Sequence, residues 1–159
     1  KIKQNIKEET LKIKEKTGKV PGLAVIIIGN NPASKTYVAM KEKACQYVGF
    51  YSTVIRLDSG IEEKDVLRCI NELNSNPSIN GILVQLPLPG HINEDKIICS
   101  ISPEKDVDGF HPYNFGKLFA GKPVFIPCTP SGIIKLLEEY NISVEGKHAV
   151  IIGLSLIHI

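Results

Sequence analysis

The sequence predicts an α/β protein in which helices cover both faces of a parallel sheet. Strand-like and helix-like segments alternate along its first half, which is the pattern of βαβ units. The run Leu23–Ile28 is continuously apolar, as expected for a strand buried on both faces. With 159 residues, of which 43% are hydrophobic and 23% charged, the chain has the composition of one globular domain.

The first elements are bounded by glycines. A helix is predicted from Lys1 to about Lys16, with apolar residues at helical spacing, and Gly18 ends it. The strand Leu23–Ile28 follows. Ser34 is then predicted as the N-cap of a helix that runs to about Val48 and ends at Gly49.

The alternation continues with a second strand over Tyr51–Leu57, a helix over Glu62–Leu73 and a third strand over Ile79–Leu86. The segment from Pro87 to Pro130 is different, because it is rich in Pro, Gly, Asp and Asn. It predicts a binding loop with short helical stretches.

The end of the chain indicates a second domain. A helix is predicted over Ser131–Tyr140, followed by a buried strand over Ala149–Ile152 and then Gly153. A strand that ends in glycine after a long helix is typical of the first strand of a Rossmann-like nucleotide-binding domain.

Composition and spacing exclude several functions. The 19 basic and 17 acidic residues give a net charge of +2, without the basic excess of a nucleic-acid binder. The chain shows neither a membrane-length apolar stretch nor a signal peptide, so we expect a cytoplasmic protein with no membrane partner. The cysteines form no C-x-x-C pair and the histidines no ligand pattern, which predicts partly buried free thiols and no metal site.

Five polar side chains are candidates for chemistry. Tyr37 and Lys41 are four residues apart, so they share one helix face and could address one ligand, although such pairs are usually solvated. Gln85 interrupts an apolar strand, where it either bonds nearby backbone or orients a reactive amine such as Lys41. Asp106 and Asp108 would point the same way in an extended segment, but a turn before Gly109 is the alternative.

These residues lie in four motifs that occur in a known order. They are Gly29-x-x-x-x-Ser34-x-x-Tyr37-x-x-x-Lys41, the strand end Gly81-Ile-Leu-Val-Gln85-Leu-Pro-Leu-Pro89, the segment Pro103-Glu-Lys-Asp-Val-Asp108-Gly-Phe, and Pro127-Cys-Thr-Pro-x-Gly132. In sequence and spacing they resemble the bifunctional methylenetetrahydrofolate dehydrogenase/cyclohydrolase family.

The resemblance implies a folate enzyme of one-carbon metabolism. It would oxidise 5,10-methylenetetrahydrofolate with NADP and hydrolyse the 5,10-methenyl product to 10-formyltetrahydrofolate, as a cytoplasmic homodimer linked to purine biosynthesis. Lys41 matches the catalytic lysine, Gln85 the amide that supports it, Tyr37 the aromatic that stacks on folate, and Asp108 the carboxylate that binds the pterin.

The resemblance also predicts the domain organisation. Residues 1–142 would form the folate-binding catalytic domain, incomplete at its N-terminus, and 143–159 the start of a truncated NAD(P)-binding domain. Thr129, Gly153 and Ser155 would contact the cofactor. The family continues after its glycine as Arg-Ser, whereas Leu154 follows Gly153 here, so residues 154–159 are expected to be non-native and the fragment to lack dehydrogenase activity.

Three other functions remain open. Another two-domain α/β dehydrogenase, for example one acting on an amino acid, could place its substrate domain first. A binding module could keep the folate cleft without its chemistry. The fragment as written could also lack any independent function.

Overall fold

The computed structural model describes residues 1–150 and contains six helices and three strands in that range. Helices alternate with strands up to the third strand, and within this range three helices follow it. The helices are α1 (Ile2–Thr17), α2 (Pro32–Val48), α3 (Glu63–Ser75), α4 (Glu94–Ser100), α5 (Pro112–Phe119) and α6 (Cys128–Glu139), and the strands are β1 (Gly22–Ile28), β2 (Tyr51–Leu57) and β3 (Gly81–Gln85).

The three strands form one parallel sheet in the order β2-β1-β3. The chain therefore moves from β1 to one neighbour through α2 and then crosses β1 to the other neighbour through α3. Right-handed crossovers that run in opposite directions place their helices on opposite faces. The predicted α/β fold with a parallel sheet between layers of helices is confirmed.

Each face of the sheet has its own core. On one face, alternate residues of β1 such as Val25 and Ile27 pack with Val38 of α2. On the other face, Ala24, Ile26 and Ile28 pack with apolar residues of α3 and α4. Both faces of β1 are buried, which explains why its sequence is continuously apolar rather than alternating.

Up to β3, the predicted elements agree closely with the observed ones, with one correction at α2. Gly18 and Gly49 end α1 and α2 in the left-handed conformation. However, the N-cap of α2 is Asn31, whose side chain accepts a hydrogen bond from the backbone of Ser34. Ser34 lies inside the first turn and is buried, so its prediction as the cap was wrong.

The chain divides into two units, Lys1–Pro127 and a second unit that begins at Cys128. Helix α6 lies in the second unit. Within the strand predicted over residues 149–152, Ala149 and Val150 are not in a strand, while residues 151 and 152 lie outside the described range. The domain boundary proposed after residue 142 falls inside the second unit and stays a prediction.

The cysteines are free thiols, as expected, but they differ in burial. Cys45 is buried and Cys69 is half-buried, whereas Cys99 and Cys128 are exposed. The expectation that all four would be partly buried was therefore wrong for two of them. Within residues 1–150, every helix is too short or too polar to cross a bilayer.

Candidate functional site

The candidate site lies at the carboxyl ends of β1 and β3. After β1 the chain rises to α2 on one face, whereas after β3 it leads to α4, which packs with α3 on the other face. Connections that diverge in this way open a crevice at the strand ends, and ligands of α/β sheets bind in such crevices. Residues from α2, β3 and the loop after α4 meet there.

Lys41 and Gln85 form the central contact of the site. The Lys41 Nζ donates a hydrogen bond of 3.0 Å to the Gln85 Oε1. The amide nitrogen of Gln85 donates to the carbonyl of Leu86 at 2.9 Å. Because the amide nitrogen is held by backbone, the oxygen is left to face the lysine, and the direction of the amine is fixed by a neutral group.

Ser34 joins α2 to the end of β3. Its hydroxyl donates to the carbonyl of Leu86 at 3.4 Å, the same carbonyl that holds Gln85. Since Lys41 lies two turns along α2 from Ser34, this contact helps to fix the height of the lysine above the strand. Ser34 belongs to the motif that the sequence singled out, but it acts here as a tertiary contact.

Asp108 lies near Lys41 in a half-buried position. Burial raises the pKa of the Asp108 carboxyl above its ordinary value, and the neighbouring Asp106 raises it further, whereas the charge of Lys41 acts in the opposite direction. Because it is partly buried, the carboxyl is poorly solvated by water. It can therefore gain hydrogen bonds from a ligand. Paired N–H donors of a heterocycle would supply them.

The two aspartates have different environments, and of the two alternatives that the sequence left open, the turn is the one observed. Residues 103–105 and 107–108 are in turns, and the backbone of Gly109 donates to the Asp106 carbonyl. Asp106 is only 2% exposed. It accepts hydrogen bonds of 2.9 Å from the His111 backbone and from the Asn114 Nδ2, so its role is to hold the loop.

Lys105 fastens the same loop to the sheet. Its ammonium donates to the carbonyls of Leu73, Asn74 and Asn76, at 3.0, 2.7 and 2.9 Å, where α3 ends. Its own carbonyl accepts from Ile82 of β3 at 2.7 Å. A lysine that neutralises the carbonyl end of a helix is favourable. Neither Lys105 nor Asn114 stands out in the sequence; the only hint was an aspartate whose burial would require donors nearby.

The structure describes two of the remaining predicted site residues, Tyr37 and Thr129, but not the other two. Tyr37 lies one turn before Lys41 on α2 and is 60% exposed, so its ring is open to a ligand. Thr129 is exposed in the first turn of α6. Gly153 and Ser155 lie outside the described residues. Among residues 1–150, no group of three or more His, Cys, Asp and Glu side chains is placed to hold a metal ion.

Two family models match the chain. The one described as tetrahydrofolate dehydrogenase/cyclohydrolase, catalytic domain, matches residues 1–108. The one described as tetrahydrofolate dehydrogenase/cyclohydrolase, NAD(P)-binding domain, matches residues 127–158. The first match includes Tyr37, Lys41, Gln85 and Asp108.

Individual relatives agree with the family models. The bifunctional protein FolD of Streptococcus pyogenes serotype M5 (strain Manfredo) is 54% identical over 155 residues, which are 98% of this chain and 55% of that protein. The chain thus spans about half the length of the curated relatives it matches.

Solved structures share the fold. The bifunctional FolD of Campylobacter jejuni matches with a TM-score of 0.92 and 52% identity, over 97% of this chain and 55% of that one. The FolD of Trypanosoma brucei, solved with NADP and an inhibitor, matches with a TM-score of 0.89 and 34% identity, over 92% of this chain and 50% of that one. With the catalytic-domain model matched over 108 residues, the chain belongs to the tetrahydrofolate dehydrogenase/cyclohydrolase family.

Proposed function

We propose that the full-length protein carrying this sequence is a methylenetetrahydrofolate dehydrogenase and methenyltetrahydrofolate cyclohydrolase, and that this chain supplies its folate site. The observation that carries the proposal is the Lys41–Gln85 hydrogen bond of 3.0 Å beside Asp108, in a chain of this family. An amine directed by a neutral amide is suited to chemistry on a substrate that becomes a cation.

The proposed roles follow from the order of the residues in the crevice. Asp108 accepts hydrogen bonds from the amino and ring N–H groups of the pterin. The exposed ring of Tyr37 stacks on the aminobenzoyl ring, worth about 1 kcal/mol beyond the buried area. Between them, Lys41 lies beside the one-carbon bridge that joins the two parts of the folate.

The charge of the substrate explains why Lys41 is paired with an amide. Loss of hydride from the methylene bridge leaves an amidinium cation, which a neighbouring ammonium would repel. A carboxylate in place of Gln85 would form an ion pair with Lys41. The neutral amide orients the nitrogen without adding a second carboxylate beside it.

In the hydrolysis step, we propose that Lys41 acts as general base. A water molecule attacks the methenyl carbon while the uncharged amine takes one of its protons. The bond from that carbon to N5 of the folate then breaks, N5 gains a proton, and the formyl group stays on N10. The cation is thereby converted to a neutral formyl amide with release of one net proton.

NADP is the cofactor that the family resemblance implies. The hydroxyl of Thr129 is exposed in the first turn of α6 and could donate a hydrogen bond to such a ligand. Gly153 and Ser155, which lie outside the described residues, stay proposed as further contacts. When bound, NADP would supply the acceptor for the hydride, and the proposed role of Tyr37, Lys41 and Asp108 is to bind the folate that carries the methylene bridge.

The family resemblance also supports three finer proposals, namely a cytoplasmic location, a homodimer and a product used in purine biosynthesis.

The experiment that tests the central proposal is an assay of the purified full-length protein. We expect NADP-dependent oxidation of 5,10-methylenetetrahydrofolate and hydrolysis of the methenyl compound above the uncatalysed rate. Absence of both activities in a folded protein would refute the proposal, and oxidation of an amino acid instead would favour the other dehydrogenase class.

A further inference from the structure

The turn that carries Asp108 is closed by the side chain of Asp106. The Asp106 Oδ2 accepts a hydrogen bond of 2.9 Å from the backbone nitrogen of His111. Within the turn, the nitrogen of Gly109 donates to the Asp106 carbonyl at 3.2 Å. Asp108 therefore lies in a closed turn over residues 106–111, so the placement of its carboxyl depends on the bonds that Asp106 makes.

Asn114 of α5 holds the oxygen that closes this turn. Its Nδ2 donates to the Asp106 Oδ2 at 2.9 Å and to the carbonyl of Pro103 at 2.7 Å, so both hydrogens of the amide are used. Asn114 is 1% exposed and Asp106 is 2% exposed. Because water cannot replace the amide at such buried positions, loss of these bonds would leave the Asp106 carboxylate short of a donor.

The oxygen of the Asn114 side chain indicates that its two N–H groups are what the position requires. The Oδ1 is buried and has no hydrogen-bond partner among residues 1–150. A buried, unpaired oxygen costs stability, and an apolar side chain of similar size would avoid that cost. Local costs of this kind are expected where a functional site depends on the group.

The closed turn is fitted closely against β3. Ile82 of β3 forms an isolated parallel bridge with Asp106. The cavity that remains between β3 and the two aspartates, Asp106 and Asp108, has a volume of only about 10 Å³, the least that a single water molecule requires. Since β3 also ends in Gln85, the turn and the partner of the catalytic lysine are anchored to the same strand.

We propose that Asn114 and Asp106 are positioning residues of the folate site, which hold the Asp108 carboxylate where it binds the pterin and thereby set the affinity for folate. The proposal rests on the function proposed above. The hydrogen bond between Lys41 and Gln85 is made by α2 and β3. Loss of the Asn114 amide should therefore weaken folate binding without removing the general base.

The test is the hydrolysis of 5,10-methenyltetrahydrofolate by variants of the full-length protein. In Asn114→Ala we expect KM to rise about tenfold, as for a lost hydrogen bond to a charged group, while kcat at saturating substrate stays nearly unchanged. Asn71→Ala, at an exposed position of α3, is the control and should change neither constant. A role in stability alone would lower the amount of folded enzyme and leave KM as it was.

A double-variant comparison tests whether Asn114 acts through Asp106. Asp106→Ala should raise KM at least as far as Asn114→Ala. The double variant Asp106→Ala/Asn114→Ala should raise it no further than Asp106→Ala does, because both changes break the same bond. Two milder variants cover the case in which an alanine variant does not fold. Asn114→Ser keeps one donor and Asp106→Asn keeps one acceptor, so each should raise KM by a smaller factor of about threefold, again at nearly unchanged kcat.

The outcomes separate the two proposals of this article. An unchanged KM in the folded Asn114 variants, or a fall in kcat without a rise in KM, would overturn the positioning role. Fully multiplicative effects on KM in the double variant would show that Asn114 does not act through Asp106. Absence of hydrolysis by the unmodified protein would instead refute the proposed function.

Discussion

The Lys41 ammonium nitrogen and the Gln85 amide oxygen are 3.0 Å apart although 44 residues of sequence separate them. One comes from the middle of α2 and the other from the last residue of β3. Because the partner is a neutral amide, the contact directs the amine without a formal counter-charge.

Replacing Lys41 with methionine should abolish the hydrolysis of 5,10-methenyltetrahydrofolate and leave folate binding intact. Methionine keeps most of the length and apolar contact of the lysine but cannot accept a proton. The measurement is the disappearance of the methenyl compound, together with a folate titration, in the full-length protein. Lys35→Met, on the other side of the same helix, should hydrolyse normally. Hydrolysis at the unmodified rate in Lys41→Met would refute the role of general base.

Changing Gln85 to glutamate should also slow hydrolysis, by about tenfold or more at neutral pH. A carboxylate about 3 Å from the nitrogen would hold Lys41 in an ion pair, which leaves the amine less able to take a proton from the attacking water. The measurement is the disappearance of the methenyl compound under the conditions used for Lys41→Met. Hydrolysis by the Gln85→Glu variant at the unmodified rate would contradict this account of the amide.

Folate affinity should fall with decreasing pH earlier than an ordinary aspartate would predict. Burial raises the pKa of Asp108, so it gains a proton above the usual range of about 4 for aspartate. The pterin N–H donors need the carboxylate, and binding is therefore lost as the pH falls through the raised pKa. Titrations at several pH values should show this loss, and Asp108→Asn should bind weakly with no such dependence on pH.

The raised pKa of Asp108 should also affect the stability of the fold. The pKa of the Asp108 carboxyl is higher in the folded state than in the unfolded state. When the pH is below the unfolded pKa, the carboxyl is protonated in both states and its burial as a charged group costs no free energy of unfolding. As the pH rises through the folded pKa, the buried carboxylate costs stability. Asp108→Asn should therefore be more stable than the unmodified protein at neutral pH and equal to it in acid, as urea unfolding at two pH values would show. If the free energies of unfolding of Asp108→Asn and the unmodified protein differed equally at both pH values, the charge of Asp108 would not be the cause.

Lys105→Met should destabilise the fold by about 1.5–3 kcal/mol, the range for hydrogen bonds to a charged group. Three carbonyls at the end of α3 would lose their shared donor, and the loop that carries Asp108 would be released. We expect a lower unfolding midpoint in urea and weaker folate binding. Lys12→Met, exposed on α1, is the control. A Lys105→Met protein as stable as the control would show that the loop is held by Asp106 and Asn114 alone.

Gly22→Ala should cost about 1–3 kcal/mol or more, as overpacking does. A Cβ at Gly22 would lie 1.9 Å from the backbone oxygen of Ser78, which cannot move without disturbing the start of β3. At Gly60 an added Cβ meets nothing within 4 Å, so Gly60→Ala should unfold at nearly the same temperature as the unmodified protein. Calorimetric melting of the two variants provides the comparison, and equal melting temperatures would show that Ser78 moves freely.

Local signals in the sequence determined the elements and the fold class. Continuous apolarity marked β1 because both its faces are buried, and Gly18 and Gly49 marked helix ends because only glycine adopts the left-handed conformation without strain. The spacing of Tyr37 and Lys41 placed them on one helix face for the same local reason. The resemblance of the motifs added the family, which the family models confirm.

Tertiary structure decided what depends on contacts between distant segments. The sequence marked Ser34 as a cap and left open whether the two aspartates point the same way, since short-range patterns cannot show which polar group will be buried. In the fold, Ser34 bonds to Leu86, Asp106 becomes a buried acceptor, and Lys105 reaches across to α3. These roles arise from the desolvation of polar groups, whose partners are fixed only when the chain has folded.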